Sequence, residues 1–407
     1  MELTTPKRNN FIFLSLLALS FAIPWAKKAL PTVIAVILLI AFYNAIRKKS
    51  LTVPSAPSAP ISLLAIFLLL IIGTTYTEHP VDAWNEIGIK LSFFIFPLLA
   101  FIIPNFTKQE VSKIQDAFIS GCFLYIAITG SHAAYETIRH NDFFYASYDR
   151  LSWYIHPTYA SQYQAINLYF LGVMGMNGQY LFKRAFIHYL AIALVLLFIV
   201  LLSSKAGFIG AIATLLFLFV QSIRKGISII KSFSFLLITS SLFIITILNL
   251  PSTSQRVENA ITDLQIAKQR SEENDSSTSQ ATSTQMRIIT WKASLSVLCD
   301  NPFGTGTGGT QQALNTIYLQ NSEEHPANKN LNSHNQFLQL GAELGWPGIS
   351  AILICLFALW QAQGGNFNTR LFVMVSALNF LFESMLEAQA GIVFFSFWLL
   401  IYSKIEK

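Results

Sequence analysis

His334 stands in Ser333-His-Asn-Gln-Phe-Leu-Gln339, at the head of an amphipathic helical pattern. An imidazole titrates near neutrality, so a histidine there can take a proton from a hydroxyl; the plain alternative is an exposed loop histidine. Arg287, four residues before Trp291, can fork onto a phosphate through two parallel hydrogen bonds, or it is a solvated charge on an amphipathic helix. Lys205 lies in Ser203-Ser-Lys-Ala-Gly207, a tight turn between two apolar runs with no acid nearby in sequence. A cation at membrane depth marks a ligand path or snorkels to the headgroups. His156, in Trp153-Tyr-Ile-His-Pro-Thr-Tyr159, is a candidate site residue or a capping histidine in an aromatic belt. Glu383 and Glu387, four apart, are expected on one helix face, where like charges need a cation, a water cavity or a raised pKa. Lys205 or Arg287 could be that cation. Gly304-Thr-Gly-Thr-Gly-Gly309 lacks the Gly-Lys-Ser/Thr ending of a phosphate loop and is expected to shape a turn. No His/Cys cluster has metal spacing, and no Gly-x-Ser-x-Gly elbow is present.

The elements that must position these residues are apolar. Of 407 residues, 53% are hydrophobic and 12% charged, with a mean hydropathy of +0.50. That balance excludes a soluble globular domain, a disordered chain and a disulfide scaffold. A bilayer core of about 30 Å takes roughly 20 apolar residues as helix. Twelve runs fit, near 11–25, 30–46, 61–76, 87–104, 114–135, 157–177, 185–203, 206–223, 232–250, 346–361, 370–386 and 389–403. The first follows Lys7 and Arg8 as a signal peptide would, but leads through Lys27 and Lys28 straight into the second, so it reads as a retained span. With the N-terminus inside, fifteen of the 27 Lys and Arg fall on the inner side against four of the 21 acids. The positive-inside bias predicts both termini in the cytoplasm, with Lys27 and Lys28 as the exception. It also accounts for the net charge of +6 without a nucleic-acid partner.

The expected architecture is an all-α polytopic membrane protein of about 12 transmembrane helices with one large outer loop containing helices. An N-terminal bundle over 1–250 is followed by the loop over 251–345 and C-terminal spans over 346–407. Within the loop, Val257, Ile261, Leu264 and Ile266 have helical spacing over 254–270, and 271–284 is low-complexity. Residues 285–298 read as an amphipathic helix with Ile288, Trp291, Leu295 and Leu298 on one side. A further helix is expected from about Ser333, capped by Ser333 or Asn332, and running to Gly345-Trp-Pro-Gly348.

The order of these motifs resembles the O-antigen ligase and polymerase superfamily. The resemblance covers about 203–348: Ser-Lys-Ala-Gly opening a span, a long outer loop, Arg287-Ile-Ile-Thr-Trp291, Asn301-Pro-Phe-Gly-Thr-Gly306, Ser333-His-Asn-Gln-Phe-Leu338 and Gly341-Ala-Glu-Leu-Gly-Trp-Pro-Gly348. It implies a GT-C-type glycosyltransferase of the bacterial inner membrane, its loop lying over a periplasmic active site. The donor would be a glycan on undecaprenyl pyrophosphate and the acceptor a sugar hydroxyl of lipid A–core, in a metal-independent, inverting reaction without a cofactor. By the same resemblance His334 is the general base and Arg287 holds the pyrophosphate. Lys205 stands where many members carry arginine, keeping the charge and losing the fork. His156 and Tyr159 match a loosely defined family segment, Asn335 falls beside the base as a substrate-binding candidate, and Glu383 and Glu387 sit where some members carry an acid. Two other readings stay open. A polymerase would use a second lipid-linked glycan as acceptor. A twelve-span transporter would show repeated halves and midplane polar residues, whereas the candidates here cluster toward one surface.

Overall fold

The computed structural model describes residues 10–48, 51–249, 258, 262, 283–362 and 366–406. Among them the regular structure is helical, apart from an isolated bridge between Phe106 and Ile405. Apart from Glu258 and Thr262, the expected helix over 254–270 lies outside the described residues, as does nearly all of the stretch 271–284.

Helices overlie all twelve apolar runs. They are α1 (Asn10–Ala22), α2 (Leu30–Lys48), α3 (Ser58–Gly73), α4 (Pro80–Lys90) leading into α5 (Ser92–Ile102), α6 (Lys108–His140), a single-turn α7 (Tyr148–Leu151), α8 (Pro157–Met176), α9 (Ala185–Leu201), α10 (Lys205–Arg224) and α11 (Ile229–Asn249). After the undescribed stretch come α12 (Ser283–Asp300), α13 (Thr310–Gln320), α14 (Glu324–Asn328), α15 (Gln336–Gln361), α16 (Phe367–Phe382) and α17 (Gln389–Ser403). Among the described residues, six segments are long and apolar enough to cross a membrane: Lys27–Arg47, Pro80–Ile102, Lys108–His140, Lys205–Arg224, Ile229–Asn249 and Gln336–Gln361. Five shorter apolar helices accompany them.

Helix α8 forms the axis of the bundle. It is buried along nearly its whole length, as a helix surrounded on all sides must be. Its buried amides find partners within the bundle: Gln162 Nε2 donates to Ser376 Oγ of α16 at 3.3 Å and Asn167 Nδ2 to Gln164 Oε1 at 2.9 Å, while Asn167 Oδ1 has no hydrogen-bond partner among the described residues. Helix α10 crosses α8 closely because Gly207 lies on Ser161, where a Cβ would collide. Around them Phe118 packs edge-on to Trp398 at 5.4 Å and to Tyr163 at 6.4 Å, joining α6, α8 and α17.

Helix α15 shows how the polar region attaches to this bundle. Gly345 has φ 67° and ψ −156°, a conformation that only glycine adopts readily, and Pro347 follows two residues later. Together they break the internal hydrogen-bond ladder and free two carbonyls. Thr305 and Gly306 fill the gap, their amides donating to the Ala342 and Glu343 carbonyls at 2.9 Å each. In return the Trp346 amide donates to the Pro302 carbonyl at 3.0 Å. The Gly-rich turn is thus the partner of a helix kink. Thr307 Oγ1 extends the tie to the Leu70 carbonyl at the end of α3, at 2.7 Å.

Two expectations need correction. The buried stripe of α12 is Met286, Thr290, Ala293, Ser294, Val297 and Leu298, whereas Leu295 is 47% exposed. Small side chains face α15 and the turn that leads into it, with Ser294 Oγ 2.8 Å from Ser333 Oγ of that turn. The cap of α15 is Asn335, whose Oδ1 accepts from the Phe337 and Leu338 amides at 2.9 and 3.1 Å. Asn332 caps nothing; its Oδ1 accepts from the His334 amide at 3.0 Å and shapes the turn before the helix.

Candidate active site

His334 sits just outside the N-terminus of α15 with φ 44°, a left-handed conformation that is strained for a residue with a Cβ. Its ring is fixed from a distant part of the chain. Glu383, at the C-cap of α16, has its carboxylate Oε1 3.1 Å from His334 Nδ1. A carboxylate accepts, so Nδ1 carries the proton and the lone pair of the neutral ring is on Nε2. Burial alone would raise Glu383; the hydrogen bond and charge of His334, aided by His156 and Arg287, hold it below the ordinary carboxylate value.

Helix α12 brings the cations. Trp291 Nε1 donates to the His334 carbonyl at 3.4 Å and Thr290 Oγ1 lies 3.3 Å from the Ser333 carbonyl. Arg287 lies one turn before Trp291, near enough to act electrostatically on Glu383 and His156. Its Nε is buried with no hydrogen-bond partner among the described residues. One turn earlier, Thr284 Oγ1 accepts from Lys205 Nζ at 2.6 Å. From Thr284 to Trp291 the helix rises about 10 Å, so the Lys205 contact, Arg287 and the contact to the His334 backbone fall along two turns of α12.

His156 closes the ring of charges. It caps α8, its Nδ1 accepting from the Thr158 amide at 3.4 Å, which leaves the proton on Nε2. Burial first, then the charges of His334 and Arg287, outweigh the pull of Glu383 and hold it below the ordinary histidine value. Thr158 Oγ1 lies 3.4 Å from Ser204 Oγ, the N-cap of α10, so Lys205 is tied to the His156 segment. The N-termini of α8, α10 and α15 therefore meet here, each with its positive dipole end toward the site.

Residues 190–353 match the family model described as O-Antigen ligase. That stretch is similar to an O-antigen ligase domain. No curated protein matches the chain. The matched stretch contains Arg287 of α12 together with Lys205 and His334, which contact α12 at Thr284 and Trp291. His156, Tyr159, Glu383 and Glu387 lie outside the matched stretch; Glu383 and Glu387 are tied to it through His334 and Gln336, and the His156 segment through Ser204.

Several assignments shift. Glu383 and Glu387 do not share a helix face, because α16 ends at Phe382 and Glu387 belongs to a separate turn, Met385–Glu387. Glu383 faces His334, while Glu387 Oε2 lies 2.9 Å from Lys90 Nζ. The cation for Glu387 is therefore Lys90, neither Lys205 nor Arg287. Asn335, expected at the substrate, commits its amide to architecture: Oδ1 caps α15 and Nδ2 donates to the Leu381 carbonyl at 3.2 Å. Tyr159 is buried, its ring 6.1 Å from that of His156 and packed on Gly391.

Sequence reasoning missed Lys90, Glu86 and Glu343. Lys90 Nζ lies 2.9 Å from Glu343 Oε2 and 3.5 Å from Glu86 Oε2, and both Lys90 and Glu343 are 1% exposed. Carboxylate oxygens of Glu86, Glu343 and Glu387 lie within 4.8 Å of one another, close enough to share an ion; the Lys90 ammonium already bonds to them. The available signal was an acid and a base at i, i+4 within the apolar segment 80–102.

Proposed function

We propose that this chain is an O-antigen ligase. It transfers a glycan from undecaprenyl pyrophosphate to a sugar hydroxyl of lipid A–core. In this reading all twelve apolar helices cross the bacterial inner membrane as a GT-C-type body, both termini lie in the cytoplasm, and residues 251–345 form a periplasmic domain over the donor.

One observation carries the reading. The His334–Glu383 hydrogen bond leaves a basic imidazole nitrogen on a residue whose carbonyl is held by Trp291, and one helical turn before Trp291 stands Arg287, whose Nε is unpartnered among the described residues. Glycosyl transfer from a lipid diphosphate needs those two groups. The acceptor oxygen forms a bond to the anomeric carbon from the face opposite the leaving group. Its proton passes to His334 Nε2, and Glu383 stabilises the resulting imidazolium. The bond from the anomeric carbon to the diphosphate oxygen breaks, and its electron pair leaves with the diphosphate. Arg287 and Lys205 stabilise that charge, and the three converging helix N-termini add to the field. A diphosphate leaves readily without protonation, so one base suffices.

The test is transfer by purified protein in proteoliposomes, with donor glycan on undecaprenyl pyrophosphate and two acceptors offered separately. Transfer to lipid A–core is expected. Transfer confined to a second lipid-linked glycan would make the protein a polymerase, and no transfer to either would overturn the reading.

A further inference from the structure

The His334–Glu383 pair joins two segments that are far apart in sequence, so something must hold those segments together. Gln336, two residues after His334 and fully buried, does so directly. Its Oε1 accepts from the Leu386 amide, and its Nε2 donates to Glu387 Oε1 at 3.2 Å. Glu387 passes the tie onward, its other oxygen 2.9 Å from Lys90 Nζ. Lys90 closes the circuit on Glu343 of α15 at 2.9 Å. Glu343 lies beside the kink at Gly345, where its own carbonyl receives the Gly306 amide.

We infer that Lys90 is a positioning residue for glycosyl transfer, holding the Glu383-bearing loop in register with His334 through Glu387 and Gln336. The inference rests on the assignment of His334 as the base. Three carboxylates converge on this one buried ammonium. Without it they repel one another at a depth where water screens them poorly. Of the three, Glu387 lies in a short turn between α16 and α17, whereas Glu86 and Glu343 are held on helices. The loop over 383–388 is therefore the segment that gives way. Movement of Glu383 by about 1 Å is enough to cost roughly 100-fold in rate. Lys90 touches neither reacting group, so donor binding by Arg287 and Lys205 is left largely intact.

A double-mutant cycle in proteoliposomes tests this, reading kcat and donor KM for Lys90→Met, Glu383→Gln and the double variant. Lys90→Met is expected to lower kcat by roughly 100-fold with donor KM changed by less than about threefold. In the Glu383→Gln background it should cost less than about threefold more, because the pair it positions is already broken. The same factor in both backgrounds, or full activity of Lys90→Met, overturns the inference. If Lys90→Met fails to insert, Glu387→Gln serves in its place, removing the loop's charge contact while leaving Lys90 paired with Glu343; the same non-additivity is required. Full activity of Glu383→Gln and His334→Ala would remove the base assignment itself, an outcome distinct from additivity in the cycle.

Discussion

Glu383 Oε1 lies 3.1 Å from His334 Nδ1, across 49 residues of sequence and between the ends of two different helices. The bond fixes the ring orientation and tautomer that a general base needs. Glu383→Gln removes the charge that stabilises an imidazolium and lets the amide present either a donor or an acceptor to Nδ1. The expected result is a fall in kcat of roughly 100-fold with donor KM little changed, read by steady-state transfer in proteoliposomes.

The ionisation of Glu383 has a defined sign. Burial pushes it up from the ordinary value of 4.5, and His334 with His156 and Arg287 more than reverses that push. Any stability this carboxylate contributes is present above its unfolded value and lost only as pH falls through the lower folded one. Infrared titration of the carboxylate band should find Glu383 mostly ionised at pH 4.5 in the wild type. In His334→Ala the main opposing cause is gone, so the band should titrate at higher pH.

Arg287→Lys should be nearly as damaging as Arg287→Ala. A guanidinium presents parallel donors to two phosphate oxygens, and an ammonium presents a point charge on a shorter stem. Donor KM should rise in both variants by more than about tenfold, equivalent to losing one charge-assisted hydrogen bond or more. Wild-type KM in the lysine variant would argue against a clamp on the diphosphate.

The kink at Gly345 is expected to be intolerant of any side chain. A Cβ there would strike the Pro302 carbonyl oxygen, and the backbone region is one that other residues avoid. Gly345→Ala should cost at least about 1–3 kcal/mol, lower the melting temperature in detergent, and loosen the Gly-rich turn enough to expose its amides to hydrogen exchange.

Much of this was legible in the sequence. Long apolar runs specify helices because a bilayer leaves the backbone little alternative, and all twelve runs are helical. Lys205, Arg287 and His334 were visible because each interrupts a local pattern: a cation at the edge of an apolar run, a charge beside a tryptophan, a histidine ahead of a helix. What stayed hidden depends on contacts between distant segments. Glu383 and Glu387 look equivalent at helical spacing, and only the end of α16 at Phe382 sends them to different partners. Lys90 and Glu343 are 253 residues apart, and neither announces the other. On α12 the apolar residues pointed to one face, but the fold buries Thr290, Ala293 and Ser294 against α15 and the turn that leads into it.

The most direct test of the central claim is the transfer rate of His334→Ala in reconstituted membranes, with donor glycan on undecaprenyl pyrophosphate and lipid A–core as acceptor. The account predicts a protein that inserts and melts like the wild type yet transfers at least about 100-fold more slowly. Wild-type transfer by that variant would contradict it.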